Sequence, residues 1–560
     1  MKLQNARGAA SSVLACGLLS LLSACGGGGS SSPSPAPMPG GSAVVSGTAT
    51  YQSVPAAANG GLNYGAASFK PIRGATVQLL DVNGAVLASG ATDGLGHYSI
   101  ALPVAQQITV RVRAELAASP AADGPGFNFS VRDNTQGNAL YVLDSAPFVA
   151  TGGVARDLQA ASGWGGSSYT AVRAAGPFSI LDVVYVGTQK VLSVVPNLVL
   201  PTLQLYWSAN NRPASGDPTQ GFIGTSFFTS NAGAGQPGLF LLGAADVDTD
   251  EYDTHVVEHE FGHYLQYALS RDDSPGGPHS SGDKLDARLA FSEGWGNAWS
   301  GMALGGPLYS DSDGPRQASG FVLDVSRAPV GSDQGAYSET TLQYLLWTAS
   351  QDPAIGFTPI YNAFVALKPL PAFTTAYAMS RMIKTVSPAS STEVDALWNS
   401  VGVHGTDEYG SGETNDGGIT GTAATLPVYK THPGIGGTAT YCLTSHYNVG
   451  QFAYKLGTTQ FIRFDVPAAG THTLSVTRSA QTTDTAATDP DFMLLRSDGT
   501  RTVADTNSLN PDGSPSNAET LASTSLSAGT TVIALSDFNM PAKSTAASPD
   551  TLRCFDLKVN

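Results

Sequence analysis

Between Tyr252 and Leu269 the chain carries a pattern that reads as one helix with two different faces. Val257, Phe261, Tyr264, Leu265 and Ala268 fall at i, i+4, i+7, i+8 and i+11, a single apolar stripe. His259 and His263 lie one turn apart on another side of the same helix. An element so patterned packs its stripe on a core and presents two imidazoles into a cleft. At that spacing both can grip one tetrahedral ion, which leaves two corners for a third ligand and a water. Glu260 points to the same side but outside the pair, which suits a base that takes a proton from metal-bound water. Histidine is scarce, nine in 560 residues, and a surface helix with two incidental histidines would have no reason to show two faces.

A third ligand is required. An extension of the metzincin type would need Gly and His where Gln266 and Leu269 stand, so that route is closed. Downstream, Asp286 to Ser300 reads as a second helix in which Glu293 sits among small and apolar residues. An unpaired carboxylate there would be costly, and a metal partner removes the cost; a buried ion pair is the other reading. Asn297, one turn later, is placed to hydrogen-bond a ligand histidine and set its tautomer. With these residues the chain resembles the thermolysin-like gluzincin metallopeptidases, which implies His259, His263 and Glu293 as zinc ligands and Glu260 as general base. The spacing from His263 to Glu293 is longer than in thermolysin itself. Asp407, in His404-Gly405-Thr406-Asp407, resembles the aspzincin motif and is the runner-up ligand. Gluzincins steady the oxyanion with a later Tyr or His, which points to Tyr337 first, at the start of a helical run to Trp347, and otherwise to His404 or His279.

Upstream of the helix, Asp246 to Asp253 is an acidic run. Acidic residues before a first helical turn face the helix dipole favourably; calcium is the sharper alternative. An EF-hand loop is excluded, because Glu251 and Val257 stand where Gly and Glu should be. His255 is expected beside the ligands or facing solvent.

The N-terminus reads as an export address. Lys2 and Arg7 form a charged region, and Val13 to Leu22 is apolar but too short to span a bilayer. Leu22-Ser23-Ala24-Cys25 resembles a bacterial lipobox, with Cys25 lipidated; the other reading is an ordinary signal peptide cut near Ala24. Gly26 after the cysteine points to the outer membrane. Residues 26–42 are a Gly/Ser/Pro tether. Cys442 and Cys554, an even pair in an exported chain, read as one disulfide that contributes about 4–5 kcal/mol.

Only 13% of residues are charged, against roughly 25% in an average soluble domain, and glycine is abundant. That balance favours strand-rich, loop-rich secreted architecture. A net charge of -16 gives no footing for nucleic acid.

The expected class is multidomain α+β: an N-terminal β-sandwich, a central mainly helical zincin domain with a small sheet, and a C-terminal jelly-roll sandwich. Residues 1–25 are the signal. Residues 43–118 show alternating strands and an Asn83-Gly84 hairpin turn, and they resemble the transthyretin-like modules attached to carboxypeptidases. Residues 119–430 hold the helical patterns and the metal motif, with Leu203 to Trp207 in a strand of the catalytic sheet. Residues 440–560 return to strands and resemble the pre-peptidase domains found C-terminal to secreted bacterial peptidases. The expected function is zinc-dependent hydrolysis of polypeptide by a lipid-anchored endopeptidase. The competing reading is a surface adhesion or binding lipoprotein with a structural or vestigial zinc site, which would leave Glu260 without a purpose.

Overall fold

The computed structural model describes residues 41–120, 124–419, 425–450, 454–504 and 516–560. The export signal with Cys16 and Cys25, and all of the tether up to residue 40, lie outside the described residues. Among those described, no helix is long and apolar enough to cross a membrane. The chain is multidomain, mixed α+β and strand-rich.

The strand Ala43–Ser53 anchors the first sheet. It pairs antiparallel with His97–Leu102 and Ser68–Pro71, and parallel with Gly152–Ala155 and Leu158–Ala160. The second sheet starts with Val86–Ala91, Ala75–Leu80 and Gln106–Ala118, whose buried Val110, Val112, Ala114 and Leu116 alternate with less buried residues. It continues without a break through Phe127–Asp133, Leu203–Trp207, Gly238–Leu241 and Phe227–Thr229, as part of a ten-stranded sheet. The boundary expected at 118/119 therefore falls inside a hairpin, where Glu115 to Ala118 pair with Ser130 to Phe127. Alternation marks a strand's two faces but not its neighbours in the sheet, so the continuity had no sequence signal.

Seven α-helices occur among the described residues: α1 (Gly176–Leu192), α2 (Thr254–Leu269), α3 (Ala287–Leu304), α4 (Glu339–Gln351), α5 (Phe357–Ala366), α6 (Ala376–Val386) and α7 (Ser391–Ser400). A single apolar core runs from Val45 and Val77 through Phe178 and Phe261 to Trp295 and Trp398.

The C-terminal region is a β-sandwich. One sheet orders Tyr429–Thr431, Thr459–Val466, Gly529–Asp537, Pro490–Leu495 and Arg501–Ala504. The other orders Thr438–Thr444, Leu552–Val559, Gly470–Arg478 and Ala518–Leu526. Between them Leu474, Phe492, Ile533, Phe555 and Leu557 form a separate core. Cys442 and Cys554 face each other across paired strands and are joined by a disulfide. The sandwich docks on the helical region through Phe373, Tyr429 and Phe461, with the Arg288 guanidinium over the Phe373 and Phe461 rings.

Candidate metal centre

On α2 the apolar stripe behaves as its spacing requires. Val257, Phe261, Tyr264 and Leu265 are buried, and Phe129 of the central sheet meets the Phe261 and Tyr264 rings edge-on. The opposite side is covered by α3, so His259, Glu260 and Glu293 are each only 9% exposed. Two glycines set this close crossing. A Cβ on Gly262 would stand 3.3 Å from Gly296 Cα, and a Cβ on Gly296 would stand 2.8 Å from two atoms of the His259 ring. Trp295 Nε1 donates to Gly262 O (2.9 Å), which ties the helices at the same level.

The crossing brings His259, His263 and Glu293 together, with one donor atom of each within 4.8 Å of the others. His259 Nε2 lies 3.0 Å from His263 Nε2, and Glu293 Oε2 lies 3.3 Å and 3.6 Å from these two atoms. In a tetrahedral zinc site with bonds of about 2.0–2.1 Å, ligand atoms stand about 3.3–3.4 Å apart. The three separations bracket that value. Asn297 Oδ1 accepts from His259 Nδ1 (2.8 Å), which leaves the Nε2 lone pair for an ion. The Asn297 amide is itself held, donating to Glu339 Oε1 (2.7 Å) and Gln343 Oε1 (3.0 Å). Ser292 Oγ stands 3.3 Å from His263 Nδ1 and donates to Gln266 Oε1. Two imidazole tips and a carboxylate oxygen, converging under cover, fit a divalent cation.

Burial opposes charge on His263, but the Glu293 and Glu260 carboxylates outweigh it and hold its pKa up at about 9. Burial likewise works against the Glu293 carboxylate, yet His263, His259 and His279 hold its pKa well below the ordinary range. Burial pushes the Glu339 carboxyl up, opposed by His279.

The remaining expected residues separate. His279 Nε2 lies 3.3 Å from Glu293 Oε2 and 3.8 Å from Glu339 Oε2. Tyr337 is not at the metal ligands: its hydroxyl donates to Asn415 Oδ1 and its ring lies under the Lys284 ammonium. It sits just before α4 begins, where the side chain turns toward residues 415–417 instead of α2. His404 is exposed and contacts Asn399. Asp407 accepts from the backbone N–H groups of Tyr409 and Ser411, stabilising its own turn. Three contributors gave no sequence signal: Gly296; Glu339, which reads as an ordinary acid in a first helical turn; and Tyr309, whose buried ring lies 6.1 Å from that of His259. His255 also packs against Tyr309, with both ring nitrogens unpartnered, and burial drives its pKa down to about 4.

A second acidic group joins two members of the expected run to a residue outside it. Carboxylate oxygens of Asp248, Asp250 and Asp311 lie within 4.8 Å of one another. Asp311 comes from the strand Leu308–Asp313, which pairs with Asp248–Thr249. Burial, followed by repulsion from Asp311, pushes Asp248 up to about 7, and burial followed by repulsion from Asp313 pushes Asp311 to about 6.

No model of a known protein family matches the sequence, and no curated protein matches it. Among solved structures, the chain is similar to the pre-peptidase C-terminal domain of collagenase from Bacillus anthracis at 13% identity and a TM-score of 0.15, over 24% of this chain and 94% of that one. It is also similar to PliG from Aeromonas hydrophila, a periplasmic inhibitor of g-type lysozyme, at 9% identity and a TM-score of 0.13, over 24% of this chain and 97% of that one. Neither likeness assigns a fold or a function to this chain.

Proposed function

We propose that this protein is an exported zinc metallopeptidase of the thermolysin-like gluzincin type, held at the cell envelope through a lipidated Cys25. The observation that carries the reading is the convergence of His259 Nε2, His263 Nε2 and Glu293 Oε2, with Glu260 beside them and not among the ligands. A structural zinc site would have no use for that carboxylate.

The ion, when bound, supplies Lewis acidity and a water of lowered pKa. Asn297 holds His259 in the Nδ1–H tautomer. Glu260 takes a proton onto its carboxylate from the attacking water and passes it to the nitrogen of the leaving amine. His279 takes the place of Tyr337 as the candidate oxyanion donor, because its Nε2 lies 3.3 Å from Glu293 Oε2, at the edge of the ligand group.

Cleavage of a mixture of quenched peptides by the soluble chain starting near Ser42 tests the reading, with zinc content measured throughout. Glu260→Gln should keep its zinc and lose about 10²–10⁴-fold in kcat. Absence of cleavage by the zinc-loaded wild type would move the assignment to a surface-binding lipoprotein.

A further inference from the structure

His279 belongs to the segment that joins α2 to α3, and little of its own sequence fixes its course. Gly276, Gly277 and Gly282 all adopt positive φ, and residues 271–280 form no regular element. Its first residues are held by the helical region, where Arg271 donates to Lys368 O and Leu370 O and Thr374 N donates to Asp273 Oδ2, whereas the part around His279 is held from the C-terminal sandwich. Residues 284–286 pair with residues 454–456: Leu285 bridges Lys455, Leu456 N donates to Lys284 O (2.8 Å), and Asp286 N donates to Tyr454 O (2.9 Å). Lys455 is 7% exposed, and its ammonium reaches both ends of the loop. It donates to Pro278 O (3.2 Å) and pairs with Asp283 Oδ2 (2.6 Å), which also accepts from Ser280 N (2.8 Å). His279 lies between these fixed points. Its Nδ1 is 3.2 Å from Gly277 O, which leaves Nε2 directed at Glu293. Above the loop a cleft of about 700 Å³ runs from His279 to Tyr447 and Val449 of the sandwich.

We propose that Lys455 is a positioning residue for His279, so that the C-terminal sandwich completes the active site and forms the far wall of a cleft for the substrate polypeptide. The inference rests on the peptidase reading for its kinetic consequences, but not for its structural ones. An ammonium bound to Pro278 O and Asp283 fixes the backbone on both sides of His279, and misplacing a reacting group by about 1 Å lowers rate by about 10²-fold.

The test uses the soluble chain with its sandwich intact, as wild type, Lys455→Met, Lys455→Arg, His279→Gln and the double variant Lys455→Met/His279→Gln. Lys455→Met should retain zinc, lose about 10–100-fold in kcat with a smaller change in KM, and regain most of that loss as Lys455→Arg. The double variant should be no slower than His279→Gln alone, because both act through one ring. Amide exchange across residues 278–283 should accelerate at least about tenfold in Lys455→Met while exchange in α2 is unchanged. If Lys455→Met does not fold, Asp283→Asn breaks the same contact and is read the same way. A wild-type kcat in Lys455→Met, or losses that multiply in the double variant, would overturn the proposal. If wild type cleaves nothing, the peptidase reading fails first; amide exchange still decides, and unchanged protection of 278–283 would overturn the positioning role.

Discussion

Replacing Gly296 by alanine adds one methyl group to the site and removes no ligand. The new Cβ would stand 2.8 Å from Cε1 and Nδ1 of His259 and 3.0 Å from its Cγ. Ordinary contact begins near 3.4 Å, so ring and methyl must part by about 0.6 Å. The ring cannot tilt freely, because Asn297 holds Nδ1 at 2.8 Å and His263 stands 3.0 Å from Nε2. The alternative is for α3 to withdraw, which carries Glu293 away from the histidines. Either movement exceeds the tolerance of about 0.2 Å in a metal–ligand distance. Zinc affinity should therefore fall about 10–100-fold, or about 1.4–2.7 kcal/mol. Helix propensity acts in the other direction, since Ala is favoured over Gly by about 1 kcal/mol inside a helix. The metal-free protein should then melt close to wild type while the zinc-loaded protein loses much of its metal-induced stabilisation. Competition against a zinc-buffering chelator, with melting followed in parallel, measures both. A Gly296→Ala protein that binds zinc as tightly as wild type would refute the view that this glycine spaces α3 from the His259 ring.

Two further outcomes can be checked. Replacing Cys442 and Cys554 by alanine opens a loop of 112 residues and should lower the stability of the C-terminal sandwich by about 4–5 kcal/mol in denaturant titration; an unchanged midpoint would show that the sandwich core stands alone. In Asp248, Asp250 and Asp311 the folded-state pKa values lie above the ordinary carboxyl value, so the folded state binds more protons than the unfolded one. Stability of the metal-free protein should then fall as pH rises from about 4 to 7, and Asp311→Asn or added calcium should flatten the fall; a Tm that rises across this range would count against the acidic group as read.

Much of the centre was legible because its chemistry is local. His259, Glu260 and His263 share one helix, and the 3.6-residue period fixes their relative directions before any tertiary contact forms. Glu293 was readable for a different reason, as a carboxylate stranded among small and apolar residues. Asn297 followed from its helical offset to Glu293. Tyr337 went astray because a residue just before a helix has no periodicity to aim it. Gly296 and Tyr309 matter only through the distance between separate elements, which no spacing within either reveals. The expected return to strands over residues 440–560 is seen in Thr459–Val466, Gly470–Arg478, Pro490–Leu495 and Gly529–Asp537, among others. The continuity of the sheet past residue 118 could not be read from the sequence, because pairing partners are chosen by surfaces and not by alternation.

That undivided sheet also makes the front of the molecule part of the working machine. Phe129 belongs to a strand hydrogen-bonded to Gln106–Ala118 on one side and Leu203–Trp207 on the other, and its ring supports Phe261 and Tyr264 under the metal-binding helix. A chain cut just before residue 119 would lose the strands that close this flank and leave a bare row of backbone donors and acceptors beneath the candidate metal ligands. A load applied to the strands ahead of residue 119 would pass, through one continuous ladder of hydrogen bonds, to the floor of the candidate metal centre.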